Sequence, residues 1–461
     1  MFYRVLILIV AIILIFSVEQ KSFSLDIVYP KKNNVTINSK STFFIGSADK
    51  DKPLIINNEK VAVHPSGGFA KTVKLTPGEN TFIIKSGDKT LVYKIIRPKG
   101  THPSKIRQNK FIVYPERKSA IVNNQNSPLR STPIDEGINR ISHLQKDIPL
   151  ILDGEQGNFY RVYLGDDTYG WILKSQVKII PENIKPVEIK KYEIFDDGEF
   201  YVINIELSGK TPWEIDASNP IKIKLYNTQT PDNMFTINFD RQKYFGKKNL
   251  IGYNANFDGN NLIVKLRKPL KIDKKKPLKQ VKITIDAGHG GHEYGAIGCL
   301  GDKEKDVMLQ YAKVLKDELQ SRGADVTMTR EDDSYIGLQD RVDFTNKYDS
   351  SIFISLHGNA LPDALDPISN NGTEIYYYYP QARPIAGFIM ASMVGELGAK
   401  NHGIIQRSFA VVRNTNALAI LLEIGYLINP EDNSKIIDSA YREKTIKAIA
   451  NGIENYINSQ R

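Results

Sequence analysis

Ile283 to Gly298 reads ITIDAGHGGHEYGAIG. A short apolar run stops at Asp286-Ala287-Gly288-His289-Gly290-Gly291, which puts an imidazole at the open end of a strand with nothing bulky beside it. A ligand or a metal needs that kind of access. The pattern recurs at Ser351-Ile352-Phe353-Ile354-Ser355-Leu356-His357-Gly358-Asn359, and a glutamate ends a third run at Ala419-Ile420-Leu421-Leu422-Glu423-Ile424-Gly425. Three apolar strands that each deliver one metal-competent or catalytic side chain point to a shared site.

The surrounding sequence supplies the layers for such a sheet. Apolar positions predict helices over Lys305–Gln320, Arg341–Tyr348, Ile385–Leu397 and Tyr441–Ile457, with a strand at Asp325–Met328. Strands alternating with helices imply a mostly parallel twisted sheet flanked by helices, and ligands on such sheets sit beyond the carboxyl ends of the strands. Residues 281–461 are therefore expected to form an α/β catalytic domain.

Glu304 opens the first of those helices, fifteen residues after His289. Two His and one Glu make a three-ligand zinc set whose fourth position stays open for water, the arrangement of catalytic rather than structural zinc. Glu423 follows four apolar residues, so burial should raise its pKa toward that of a general base.

Upstream the chain changes character. Its 461 residues allow several domains, and the rest reads as all-β modules. Residues 25–98 alternate in polarity between turn signals such as Pro77-Gly78-Glu79-Asn80, as a β-sandwich does, and are similar to bacterial immunoglobulin-like modules. A polar, basic stretch at 99–110 reads as a linker. Residues 111–181 carry Ser127-Pro128-Leu129-Arg130-Ser131, Asn158-Phe159-Tyr160-Arg161-Val162 and Gly170-Trp171-Ile172-Leu173; in order and spacing these resemble the bacterial Src-homology-3-like (SH3-like) barrel, with Trp171 expected in its core. Residues 182–270 form a further β-rich domain, similar in position and texture to the targeting domains of envelope amidases. Residues 271–280 are a Lys-rich solvated linker.

Arg4 followed by the apolar run Val5–Phe16 reads as a signal peptide or N-terminal anchor within residues 1–24; the run is shorter than a spanning helix needs. This implies export to a periplasm or cell wall, with membrane contact only if the segment stays uncleaved. No Cys lies near it, which excludes lipoprotein processing. The single Cys299 cannot form an internal disulfide and reads as a loop thiol rather than a soft zinc ligand. The net charge of +10 divides unevenly: residues 280–461 hold 18 basic and 24 acidic side chains, so the remainder is strongly cationic. That cationic part suits anionic envelope polymers; nucleic acid is a poor partner for an exported chain.

Residues from about 281 to 458 resemble the zinc-dependent N-acetylmuramoyl-L-alanine amidases, a family of peptidoglycan hydrolases. The matched segments are Asp286–Gly291, Glu304-Lys305, Thr329-Arg330, Arg341-Val342, Ser355–Asn359, Gly372-Thr373-Glu374, Val412-Arg413-Asn414 and Leu422–Asn429. The resemblance implies His289, Glu304 and His357 as zinc ligands, Glu423 as the catalytic carboxylate, and peptidoglycan as substrate. The bond cut would join the lactyl group of N-acetylmuramic acid to L-alanine. Asn359, His402 and Arg341 are candidate substrate contacts. Ala287, Gly358 and Ile424 depart from the family's usual Pro, Ala and Thr, and none removes a ligand. The interval 358–422 is too short for the inhibitory helical insertion of some periplasmic members, so an open site is expected; Glu396 is the only glutamate in 385–397 that could contradict this. Two rivals remain: a zinc endopeptidase acting within the stem or cross-bridge, and a non-catalytic wall-binding scaffold.

Overall fold

The computed structural model describes residues 24–100, 110–165 and 167–461. The expected export or anchor segment, apart from Ser24, and most of the 99–110 linker lie outside the described residues. Among those described, no helix is long and apolar enough to cross a membrane.

In the C-terminal unit a six-stranded sheet is built from β1 (Lys282–Ala287), β2 (Asp325–Met328), β3 (Ile352–Asn359), β4 (Thr373–Tyr377), β5 (Asn401–Gln406) and β6 (Leu418–Tyr426). The spatial order is β2-β1-β3-β6-β4-β5. The first four strands in that order run parallel, and β4 pairs antiparallel with β6. The helices are α1 (Glu304–Ser321), α2 (Leu338–Lys347), α3 (Arg383–Leu397), α4 (Pro430–Ile436) and α5 (Ser439–Ser459). Ile283, Ile285, Ile354, Ile420 and Leu422 of the strands share one core with Leu315, Ile389 and Ile453 of the helices. Strands buried on both faces read as continuous apolar runs, which is why they stand out in the sequence. The four expected helices are present within two or three residues of their expected ends. The short α4 carries too few turns for a periodic signal; Pro430 and the Asn429 side chain, which accepts from Glu431 N and Asp432 N, start it.

The N-terminal part is built almost wholly of β-strands, with one short α-helix at Arg241–Phe245. Residues 26–97 form a three-stranded and a five-stranded sheet around Phe44, Phe69, Ile84 and Ile95. Residues 112–180 form one seven-stranded antiparallel sheet, and 189–267 form sheets of four and three strands. The expected boundary at 181 is not a core boundary: Leu152 and Val162 on one side share a continuous cluster with Ile203, Ile221 and Val264 on the other.

Two further expectations need correction. Trp171 is only partly buried, its ring edge-on to Phe111 at 5.6 Å, because its side chain points to the outer face of its strand. The Lys-rich stretch is no free spacer either: its lysines face solvent, but Leu278 is fully buried in the α/β core and Leu270 and Ile272 pack against that core.

The first β-unit is bolted to the C-terminal one. Tyr29 OH and Thr42 Oγ1 both donate to Asp363 Oδ1 (2.6 and 2.7 Å), and Thr72 Oγ1 donates to Asp366 Oδ1 (2.7 Å). Phe43, Ile45 and Ala70 close an apolar seam with Cys299, Tyr426 and Ile428.

Candidate metal centre and active site

The register of the parallel strands gathers the site. Ala287 pairs with Leu356 and His357 with Glu423, so the carboxyl ends of β1, β3 and β6 lie side by side. His289 stands just beyond β1 in a left-handed conformation (φ 60°) that turns the chain sharply. Glu304 is the first residue of α1; its backbone N–H is bonded to Ala296 O (2.9 Å), so the helix start is tied to the loop that carries His289.

Glu304 Oε1 lies 3.2 Å from His289 Nε2 and 2.8 Å from His357 Nδ1, and it accepts from Gly358 N (3.1 Å). Glu304 Oε2 accepts from Ala296 N (2.7 Å). One donor atom from each of His289, Glu304 and His357 falls within 4.8 Å of the others, the spacing needed for three ligands of one ion. Burial alone would raise the Glu304 pKa; hydrogen bonds from His289 and His357 outweigh it and hold the carboxylate ionised, as a ligand must be.

Two glycines make room for this cluster. A Cβ at Gly288 would overlap the His357 ring, and one at Gly295 (φ +68°) would overlap Glu304 Oε2 and His289 Cδ2. The donor set and its cradle thus fit an ion. Gly295→Ala is expected to leave the protein folded but to lower the metal it retains several-fold. Metal analysis of the purified variant checks this, and wild-type stoichiometry would show that the cradle is not needed.

The loop between β1 and α1 is held by two buried arginines. Arg341, 2% exposed, donates to Asp286 Oδ1 (2.6 Å), Ala287 O (2.9 Å), His289 O (2.8 Å) and Ile336 O (3.0 Å). Arg330 donates to Ala287 O (2.9 Å), Gly288 O (2.8 Å) and Lys305 O (2.8 Å). The expected substrate contact at Arg341 is therefore corrected: its guanidinium is consumed by the loop and does not face the cleft. Asp286 also accepts from Ser355 Oγ (2.6 Å) and Thr329 Oγ1 (2.5 Å). Burial would raise the Asp286 pKa, but Arg341 and these hydroxyls keep it below its ordinary value.

Glu423 has a different environment. Its side chain is partly buried, and Oε2 is enclosed without a hydrogen-bond partner. Burial first, then the charges of Glu304 and Glu374, push its pKa well above the usual carboxylate range. A carboxyl group with a raised pKa and a free oxygen beside a ligand cluster is suited to accept and return a proton.

Glu374 is the residue whose importance the sequence did not disclose. It sits directly opposite Glu423 across the β4–β6 pair. It accepts from Asn359 Nδ2 (3.0 Å), Tyr426 OH (2.8 Å), Tyr376 OH and His402 Nδ1. Burial works against its ionisation, but those hydrogen bonds keep its pKa low. Asn359 and His402, both expected at the rim, are thus brought in and oriented by one carboxylate. Its sequence signals were its place in the matched segment Gly372-Thr373-Glu374, with no role attached, and an acid inside the strand Thr373–Tyr377, two residues before a tyrosine on the same face.

The other candidates lie apart. Cys299 is fully buried in the seam with the first β-unit, its Sγ 3.3 Å from Ile428 O, and is not a ligand. His292, three residues beyond His289, is not in the ligand cluster, its ring lying 4.4 Å from that of Tyr335. Glu396 accepts from Asn451 Nδ2 (2.8 Å) on α5 and takes no part in the ligand cluster.

Residues 283–455 match the sequence model of the family described as N-acetylmuramoyl-L-alanine amidase. The C-terminal unit belongs to that family. Over 185 residues the amidase domain is 36% identical to the probable cell wall amidase LytH of Staphylococcus epidermidis, covering 40% of this chain and 60% of that protein. The LytH of Staphylococcus aureus is 35% identical over 187 residues, covering 40% and 61%. The chain thus spans about 60% of the length of the curated relatives it matches. Among solved structures, the N-acetylmuramoyl-L-alanine amidase AmiC2 of Nostoc punctiforme is 32% identical, covering 39% of this chain and 97% of that one, with a TM-score of 0.37.

Proposed function

We propose that this protein is an exported, zinc-dependent amidase that hydrolyses the bond between the lactyl group of N-acetylmuramic acid and the L-alanine of the stem peptide. The observation that carries the reading is the convergence of His289, Glu304 and His357 beside the unpartnered oxygen of Glu423. When bound by those three side chains, zinc supplies Lewis acidity to the amide carbonyl and a positive charge that eases ionisation of water and of Glu423. Glu423 takes a proton from the attacking water as the C–O bond forms. It returns that proton to the alanine nitrogen as the C–N bond breaks. Asn359 and His402, held by Glu374, line the approach and are assigned to substrate.

The upstream units are read as wall-directed modules: an immunoglobulin-like sandwich at 25–98, an SH3-like unit at 111–181 and a targeting-like unit at 182–270. Their cationic surface would favour anionic envelope polymers. Digestion of purified sacculi followed by mass spectrometry tests the reaction. Free stem peptides beginning with L-alanine, with the lactyl group left on the sugar, are the expected products. Fragments that keep alanine on muramic acid would replace this reading with an endopeptidase.

A further inference from the structure

A cavity of 810 Å³ lies away from the metal cluster, where the seven-stranded sheet, the three-stranded sheet and the α/β unit meet. Arg130, Arg140 and Arg413 all line it. Their charges are hardly compensated. Arg140 makes no side-chain hydrogen bond or ion pair with any described residue, and its buried Nε is unpartnered. Arg413 donates only to Ser408, whose hydroxyl lies 3.2 Å away. Arg130, 2% exposed, donates to Pro128 O (3.0 Å) and pairs with the exposed Asp135, while its Nε is unpartnered. The other acid in the wall, Asp343, accepts from Gln339 Nε2 (2.9 Å).

The three cations act on one another. Burial and then Arg140 lower the pKa of Arg130, and burial with Arg140 and Arg130 brings Arg413 down to about 10. His143 in the same wall is pushed to about 3 by burial and by all three arginines, so it adds no charge. Like charges gathered in a protein interior destabilise it unless something binds between them. The wall also holds buried donors without partners, Trp213 Nε1 and Asn414 Nδ2.

We propose that this cavity binds a phosphate group between Arg130, Arg140 and Arg413, carried on a sugar or polyol. Guanidinium forks match phosphate oxygens, and three of them exceed what one carboxylate can occupy. The volume lies within the ~300–1,000 Å³ of organic-ligand sites and far exceeds a bare phosphate. Trp213 offers an aromatic edge and an N–H, and Asn414 an amide, to the hydroxyl-bearing part. The ligand would clamp the β-units onto the amidase domain.

Calorimetric titration and thermal melting of the full-length protein at low ionic strength test this, with inorganic phosphate, glycerol 3-phosphate, glycerol, and chloride at matched ionic strength as probes. Saturable binding and a higher Tm are expected with glycerol 3-phosphate, weaker binding with inorganic phosphate, and no effect from glycerol. Equal affinity for the two phosphates would support the site and assign free phosphate as its occupant. Arg140→Gln should weaken binding at least about tenfold, the loss of one charge-assisted hydrogen bond. It should also raise the Tm of the ligand-free protein, because one of three repelling charges is gone; a merely structural arginine would lower it. Arg117→Gln, on the outer face against Tyr163, is the control that leaves binding unchanged. An effect that chloride reproduces, or unaltered binding in Arg140→Gln, would overturn the proposal.

Discussion

Glu423→Gln is expected to lose roughly 10²–10⁴-fold of muramyl-amide cleavage, the usual contribution of a positioned general base, while keeping zinc and fold. The two side chains have nearly the same shape, so the packing of β6 survives. The free carboxyl oxygen disappears, and with it the group that takes the proton from water. Stability should be unchanged or higher, because a carboxyl group whose ionisation burial, Glu304 and Glu374 oppose gives way to a neutral amide. Cleavage rate, metal content and thermal midpoint are measured together. Activity close to wild type would reject the base assignment. Lost zinc would mean that Glu423 helps hold the metal, not only the proton.

Arg341→Met should be the most destabilising single change in the amidase domain. It leaves Asp286 buried without its ion partner, at a cost of about 3–5 kcal/mol, and frees the carbonyls of His289 and Ile336, while Ala287 O keeps its bond from Arg330. Urea denaturation at neutral and acidic pH would show this, and the sign of the pH effect is diagnostic. In the wild type the Asp286 pKa is depressed, so its stabilisation is present above the unfolded value of about 4 and fades as the pH falls through the lower folded value. In the variant, burial prevails and the folded pKa rises above the unfolded one. The penalty is then full at neutral pH and shrinks on acidification, so the two stabilities converge. A gap that stays constant with pH would show that the lost carbonyl bonds, and not the ion pair, dominate.

The strand ends carrying His289, His357 and Glu423 were legible because a buried parallel strand must be apolar throughout, so a His or Glu closing such a run is conspicuous. Glu304 was legible from its place at a helix start. Glu374 was not, since its partners Asn359, Tyr376, His402 and Tyr426 come from three strands besides its own tyrosine, and only the antiparallel return of β4 brings them together. Arg341 could be read either as a structural anchor or as a substrate contact, because an arginine's role depends on what surrounds it; here three carbonyls and a carboxylate surround it. The upstream strands were visible from their turns. That two of the expected units share a core was not, because antiparallel strands of either unit show the same alternation.

The hydrogen bonds from Tyr29 and Thr42 to Asp363 reach the loop that follows Asn359 at the cleft. Asp363 is thus shared between two units, and a load placed on the first β-unit by a bound polymer would reach the rim of the cleft through two hydroxyl hydrogen bonds.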